Sequence, residues 1–283
     1  MSARFLARDT IPLSSDQWTQ LDRLVVETAR RSLVGRRFIP IYGPLGAGVH
    51  TVPLHEFEGV YIGEADLSGE VECGLVKAAR TRHIALPIIH KDFLLLWRNV
   101  AAGTIGIPLD FAPAASAAAS TARKEDDLIF NGNPELGLDG IFTVADRIVM
   151  PLGDWSQVGN AFNDVTQALE RLASEGYFGP YALAVSPLLH ARMHRVHERT
   201  GVLEIRNVEE LVTAGVFRSP VIPANRAAVV SVGAQNLDLA LAQDMVTAVL
   251  GPEKMNYLMR VFEVLALRIK RPRSIVTLEG PMP

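Results

Sequence analysis

A single cysteine, Cys73, in 283 residues excludes an internal disulfide and any zinc site that takes two thiolates from one chain. It lies in a polar stretch, residues 68–74, with no histidine beside it, which is a poor setting for a nucleophile. Long apolar runs are missing too. Residues 93–97 and 227–232 are the most apolar stretches, far short of the ~20 residues that cross a bilayer. Residues 1–12 carry arginines and no signal-peptide core, so the expected location is the cytoplasm. Basic charge is not in excess: 28 Lys and Arg against 31 Asp and Glu leave a net charge of -3. That balance argues against packaging nucleic acid by charge alone. No Gly-x-Ser-x-Gly elbow, dinucleotide-type glycine loop or His-Glu-x-x-His pair is present. What the chain does have is 48% hydrophobic residues, enough to build one large domain or two modest ones.

The first half contains helical patterns on either side of an extended one. Ser14 and Gln17 have capping-box spacing, and a helix follows to about residue 34, with Gly35 as its stop. Trp18, Leu21, Leu24, Val25 and Thr28 share one face of it. Such a stripe covers the protein's own core or leaves a groove for a partner peptide. The run Tyr42-Gly43-Pro44-Leu45-Gly46-Ala47-Gly48 is a turn; it lacks the Lys-Ser/Thr ending of a phosphate loop. Between residues 49 and 90, β-prone pieces at 49–54, 57–62, 71–76 and 83–89 predict a long two-stranded excursion with its tip near 66–72. One strand pair is poorly stable alone, so the excursion needs an outside surface, such as another subunit. Asp92 reads as the cap of a short helix to about residue 102, which is a simpler account of His90-Lys91-Asp92 than an acid–base pair. Pro108 reads as the start of a long helix to about residue 130, rich in alanine over 112–122 and suited to close packing. Lys124, Glu125, Asp126 and Asp127 near its end read as a solvated face, since adjacent helical positions point in different directions.

The second half reads as α+β. Helices are expected at 160–175, 188–199 and 208–214, and strands at 181–185, 216–223, 227–233, 237–241, 245–250, 258–269 and 274–278. His190, His194 and His197 fall on one helix face at i, i+4 and i+7. Arg192, Arg195 and Arg199 surround them and discourage a divalent cation, so a surface face turned to a neighbour is the expectation. A metal-dependent enzyme using these three histidines is the alternative. Otherwise no active site emerges.

Several segments in order carry a resemblance. They are Leu33-Val34-Gly35-Arg36-Arg37-Phe38 after Trp18, the glycine-rich turn at 42–48, Lys124-Glu125-Asp126-Asp127-Leu128-Ile129-Phe130-Asn131-Gly132, Met150-Pro151-Leu152-Gly153-Asp154-Trp155, Gly179-Pro180-Tyr181-Ala182-Leu183, and Leu241-Ala242-Gln243-Asp244-Met245. Together they span nearly the whole chain, which resembles the encapsulin nanocompartment shell proteins. The resemblance implies an α+β, HK97 phage-capsid-like fold with a P-domain, an A-domain, an extended E-loop and a lumen-facing N-terminal helix. Residues 1–49 would form the N-terminal arm and helix, 50–88 the E-loop, 89–134 the P-domain with its spine helix, 135–225 the A-domain, and 226–283 the return to the P-domain. It implies a non-enzymatic subunit, without cofactor or metal, that self-assembles into an icosahedral shell. The enclosed cargo would be a ferritin-like protein, for iron storage and protection from oxidative stress, or a dye-decolorizing peroxidase, held by a C-terminal targeting peptide. Neither nucleic acid nor membrane would be a partner. Leu24, Val25, Thr28, Arg36, Asp244 and Met245 would line the peptide groove. Pro40 stands where some relatives have Asp, which alters the groove's charge. Loops such as 200–207 would line pores. A phage major capsid protein of the same fold is the alternative.

Overall fold

The structure, a computed structural model, describes residues 4–59, 63–72, 74–103, 105–196 and 201–281. Helix α1 (Ser15–Ser32) begins on the expected capping box. The Ser14 hydroxyl accepts from the Gln17 N–H at 3.2 Å, and the Gln17 side chain accepts from the Ser14 N–H at 2.8 Å. These bonds satisfy donors that a helix start leaves open. Leu21, Val25 and Ala29 form its buried edge. The helix ends before Leu33, so Gly35 is not its stop. Gly35 instead opens a tight turn, Gly35–Arg37, pressed onto the next long helix: an added Cβ would stand 2.6 Å from Ile129 Cδ1.

Strands β1 (Ile41–Tyr42), β2 (Thr51–Glu56), β3 (Arg80–Ala85) and β4 (Ile88–Leu95) follow. β2 and β3 pair antiparallel as a separate two-stranded sheet, with Thr51 opposite Ala85. The strands expected at 57–62 and 71–76 do not form at 57–59, 71–72 or 74–76; residues 60–62 and Cys73 lie outside the described residues. Among the described residues, the intervening chain forms no strand. Asp66 turns it back on itself, accepting from the Ser68, Gly69 and Val71 N–H groups. Asp92 lies inside β4 and caps no helix: it stands opposite Arg260 and takes its guanidinium at 2.6 and 2.9 Å. Helix α2 (Trp97–Gly103) starts five residues later.

Helix α3 (Ala112–Asn131) begins after Pro108, where the Asp110 carboxylate accepts from the Ala112 N–H at 2.8 Å and Pro113 occupies the first turn. Ala114, Ala117, Ala118 and Ala122 are buried along it, letting α1 and α3 lie close. Then come β5 (Ile148–Pro151), α4 (Asn160–Ser174), β6 (Tyr181–Val185), α5 (Pro187–Arg192), α6 (Glu204–Leu211), β7 (Gly215–Arg218), β8 (Arg226–Ser231), β9 (Leu237–Glu253), β10 (Asn256–Ile269) and β11 (Ile275–Glu279). The helix expected over 188–199 is shorter, and the one at 208–214 starts earlier, at Glu204. The strands expected at 237–241 and 245–250 are one bulged strand, β9.

Among the described residues, one sheet runs β1-β9-β10-β4 and another β5-β11-β8-β6-β7. α1 and α3 pack on the first, and α4, α5 and α6 share a core with the second. β8 and β11 therefore belong with β6, and only β9 and β10 return to the α1–α3 side. One apolar cluster, including Phe38, Phe130, Phe142 and Phe217, joins the two sheets.

Candidate functional site

The β9–β10 ladder slips beside Glu263. Phe262 pairs with Val246 and Val264 with Gln243, so Asp244 and Met245 both stand opposite Glu263. This two-against-one bulge re-aims side chains. The Asp244 side chain is left 66% exposed, while that of Glu263 is fully buried. The Gly35–Arg37 turn delivers Arg36 to the same place. Arg36 Nε donates to Glu125 at 2.7 Å, and its two terminal nitrogens donate to Asp244 at 2.7 Å and Glu263 at 2.6 Å. A planar guanidinium suits three simultaneous acceptors, where an ammonium would not.

The acidic cluster on α3 is thus not a solvated face. Glu125 and Asp126 are buried, and only Lys124 and Asp127 form a surface pair, at 2.7 Å. Their partners come from the far end of α1: Asp126 accepts the Val34 N–H at 3.0 and 3.1 Å and the Gly35 N–H at 2.9 Å. Burial pushes Asp126 up to about 7, against the pull of those N–H groups. Burial, and then the Glu125 charge, push Glu263 well above the carboxylate range, with Arg36 opposing. Burial works against the Arg36 charge too, but the bonds to Glu125, Glu263 and Asp244 prevail and raise its pKa.

Asp126 carries a pH prediction. Its pKa is higher folded than unfolded, so its contribution to stability is complete below pH ~4 and is lost as pH rises to ~7. Asp126→Asn keeps an acceptor for the Gly35 N–H and should flatten that fall. The difference should reach ~4 kcal/mol at most, read from urea midpoints across the window.

Beside this network lies a hollow of about 330 Å³. Val26, Ala29 and Arg30 of α1, with Leu33 just past its end, form one wall; Arg36, Arg37 and Ile41 form its base and lip; Asp244 and Met245 close it from the bulge. Arg36, Asp244 and Met245, singled out from sequence, therefore converge. Leu24, Val25 and Thr28 are not among its lining residues. Val25 is 1% exposed in the α1–α3 core, Leu24 packs on the same cluster, and Thr28 is half-buried. Val26 and Ile41 were missed. Their signal was an apolar side chain off the buried stripe, and each leaves apolar surface exposed at the lip. Pro40 spends its carbonyl on the Leu239 N–H at 2.9 Å, leading the chain into β1.

The histidines behave differently. The rings of His190 and His194 lie 4.7 Å apart, and burial, followed by the His194 charge, holds His190 below its usual value. His197 is outside the described residues. Among the described residues, no group of three or more His, Cys, Asp or Glu side chains is arranged to hold a metal.

Residues 3–266 match the family described as "Encapsulating protein for peroxidase" (Linocin_M18). The chain belongs to the encapsulin family. This encapsulin is 48% identical to the type 1 encapsulin shell protein EncA of Myxococcus xanthus (strain DK1622), over 98% of this chain and 96% of that one. It is 42% identical to the diheme-cytochrome-encapsulin shell fusion protein of Kuenenia stuttgartiensis, over 95% of this chain and 74% of the fusion. In structure it resembles the virus-like particle from Pyrococcus furiosus, with a TM-score of 0.76 at 20% identity, covering 93% of this chain and 99% of that one. The capsid of Myoviridae phage XM1 follows, at a TM-score of 0.60 and 12% identity, covering 99% of this chain and 100% of that one. The encapsulin chain thus has the α+β fold of HK97-type phage capsids.

Proposed function

We propose that this chain is the repeating subunit of an icosahedral shell, and that the hollow between α1 and the β9 bulge holds the C-terminal targeting peptide of an enclosed protein. The observation that carries the docking site is the hollow itself. A helix near the start of the chain leaves Val26 uncovered on one wall, a strand edge leaves Ile41 uncovered on another, and Arg36 and Asp244 are fixed between them. A hollow of about 330 Å³ takes only a few side chains, so one site binds weakly. Many identical sites on one inner surface act on a multimeric cargo through effective concentration.

Family membership and the capsid fold support the shell reading. So does the β2–β3 excursion, whose Leu67, Leu75 and Val76 project into solvent and suit a neighbouring subunit. In this reading 50–88 is the E-loop, α1 faces the lumen, α3 is the P-domain spine, and α4 to α6 with the five-stranded sheet form the A-domain. The subunit encloses chemistry without performing it, in the cytoplasm. No helix of the described residues is long and apolar enough to cross a membrane. The first candidate cargo is a ferritin-like protein in iron storage and oxidative-stress protection; a dye-decolorizing peroxidase is the second, and the family's description names a peroxidase.

The purified chain should elute as one large particle, visible by negative stain. Elution as a small oligomer would overturn the shell reading. Val26→Glu places a charge on an exposed wall of the hollow, so the particle should still form. Burying that charge against an apolar peptide costs ~2 kcal/mol or more, so the co-purifying protein should fall at least ~10-fold. Full retention of contents would remove the hollow as the docking site.

A further inference from the structure

Two fully buried carboxylates face one guanidinium beneath the hollow. The Glu125 and Glu263 side chains have 0% exposure and Arg36 has 12%. Arg36 occupies one oxygen of each. The other two oxygens, Glu125 Oε2 and Glu263 Oε1, are buried without a partner. Both acids thus converge on one guanidinium, each with its second oxygen buried and unsatisfied. Two ionised carboxylates cannot bond to each other, whereas one proton between them satisfies both. Arg36 is the cation bonded to both acids, while Arg30 and Arg37 line the hollow above. Asp126 lies next on α3, tied to the Val34 and Gly35 N–H groups, and Asp244 lies on β9. From β4, Ile89 stands opposite Glu263, and the adjacent His90 points to the other sheet face.

We infer that Glu125 and Glu263 share one retained proton, and that this proton fixes Arg36 and its Asp244 contact at the edge of the hollow. With the proton present, the buried group of three is neutral and the third arm of Arg36 stays on Asp244. Losing it leaves one net negative charge in the interior, which draws the guanidinium inward and repels Asp244. Glu125 and Glu263 are positioning residues for the hollow. Their bearing on docking rests on the peptide-site reading above; the proton itself does not, and empty particles suffice to test it.

The test uses the full chain, Glu125→Gln, Glu263→Gln and the double variant. A glutamine amide can donate as the protonated acid does. Each single variant should form particles, whereas the double variant leaves Arg36 without a buried counter-charge and should lose most of its particle yield. A raised carboxyl pKa takes stability away as pH rises. Asp126, held at about 7, contributes little slope above pH ~8, so a wild-type unfolding temperature that still falls from pH ~8 to pH ~9.5 reports the shared proton, and either single variant should abolish that fall. Infrared spectra of wild-type particles at pH ~8.5 should show a protonated-carboxyl stretch that both single variants lack. The inference is overturned if that stretch is absent, if the single variants keep the wild-type slope, or if the double variant behaves like the singles.

Discussion

Arg36→Met should cost the encapsulin subunit ~3–5 kcal/mol, because it strips the cation from two buried carboxylates while filling much the same volume. That is a large part of the ~5–15 kcal/mol that usually holds a domain together. Urea midpoints should drop accordingly, and particle yield with them. The loss should depend on pH in a defined sense. At pH ~5 the orphaned acids can take up protons and the deficit shrinks; at pH ~8 it is full. Arg36→Lys should recover only part of it, since one ammonium cannot reach Glu125, Asp244 and Glu263 together. A variant as stable as the wild type at both pH values would mean that the network contributes nothing net.

Gly140→Ala should be nearly as damaging, for a steric reason. After α3 the chain doubles back, with Gly132 at φ 69° and Asn133 bridged to Leu138. A Cβ on Gly140 would lie 2.3 Å from the Gly132 nitrogen and 2.6 Å from the Phe130 carbonyl oxygen. These are backbone atoms and cannot swing aside. Relief would separate the Ile141 and Phe142 N–H groups from the Ile129 and Phe130 carbonyls, now 2.9 Å away in each case, and loosen Phe142 against Phe130. A loss of ~3 kcal/mol in the urea midpoint is expected. Gly137→Ala, in the same loop, meets nothing within 4 Å and strains only its own backbone, for ~1 kcal/mol.

Local physics made α1, α4, β6 and β10 legible in the sequence. A capping box, a helical stripe and unbroken apolar runs each act within a few residues, and the structure keeps them. The misreadings share the opposite property. Glu125 and Asp126 look solvated until Val34–Arg36 is laid across them, and nothing nearby in sequence signals that. Asp92 has good cap chemistry but is claimed by Arg260, across a strand pair formed late in the chain. The residues expected to line a peptide groove divided the same way. Arg36, Asp244 and Met245 came from motif resemblance. Leu24, Val25 and Thr28 came from the face of α1, and the helix turns its uncovered apolar residue, Val26, a step away from that face.

The bulge opposite Glu263 has a consequence for how such a chain can diversify. Asp244 and Met245 occupy two positions where a regular ladder needs one, between the Val246–Phe262 and Gln243–Val264 pairs. Removing a single residue there would close this slip and erase the Asp244 lip, leaving the next slip, at Ala242, as it is. The flanking pairings, and the sheet they build, would keep their partners. The edge of the hollow and the sheet that carries it can therefore vary separately, one gained or lost by a single codon while the other persists.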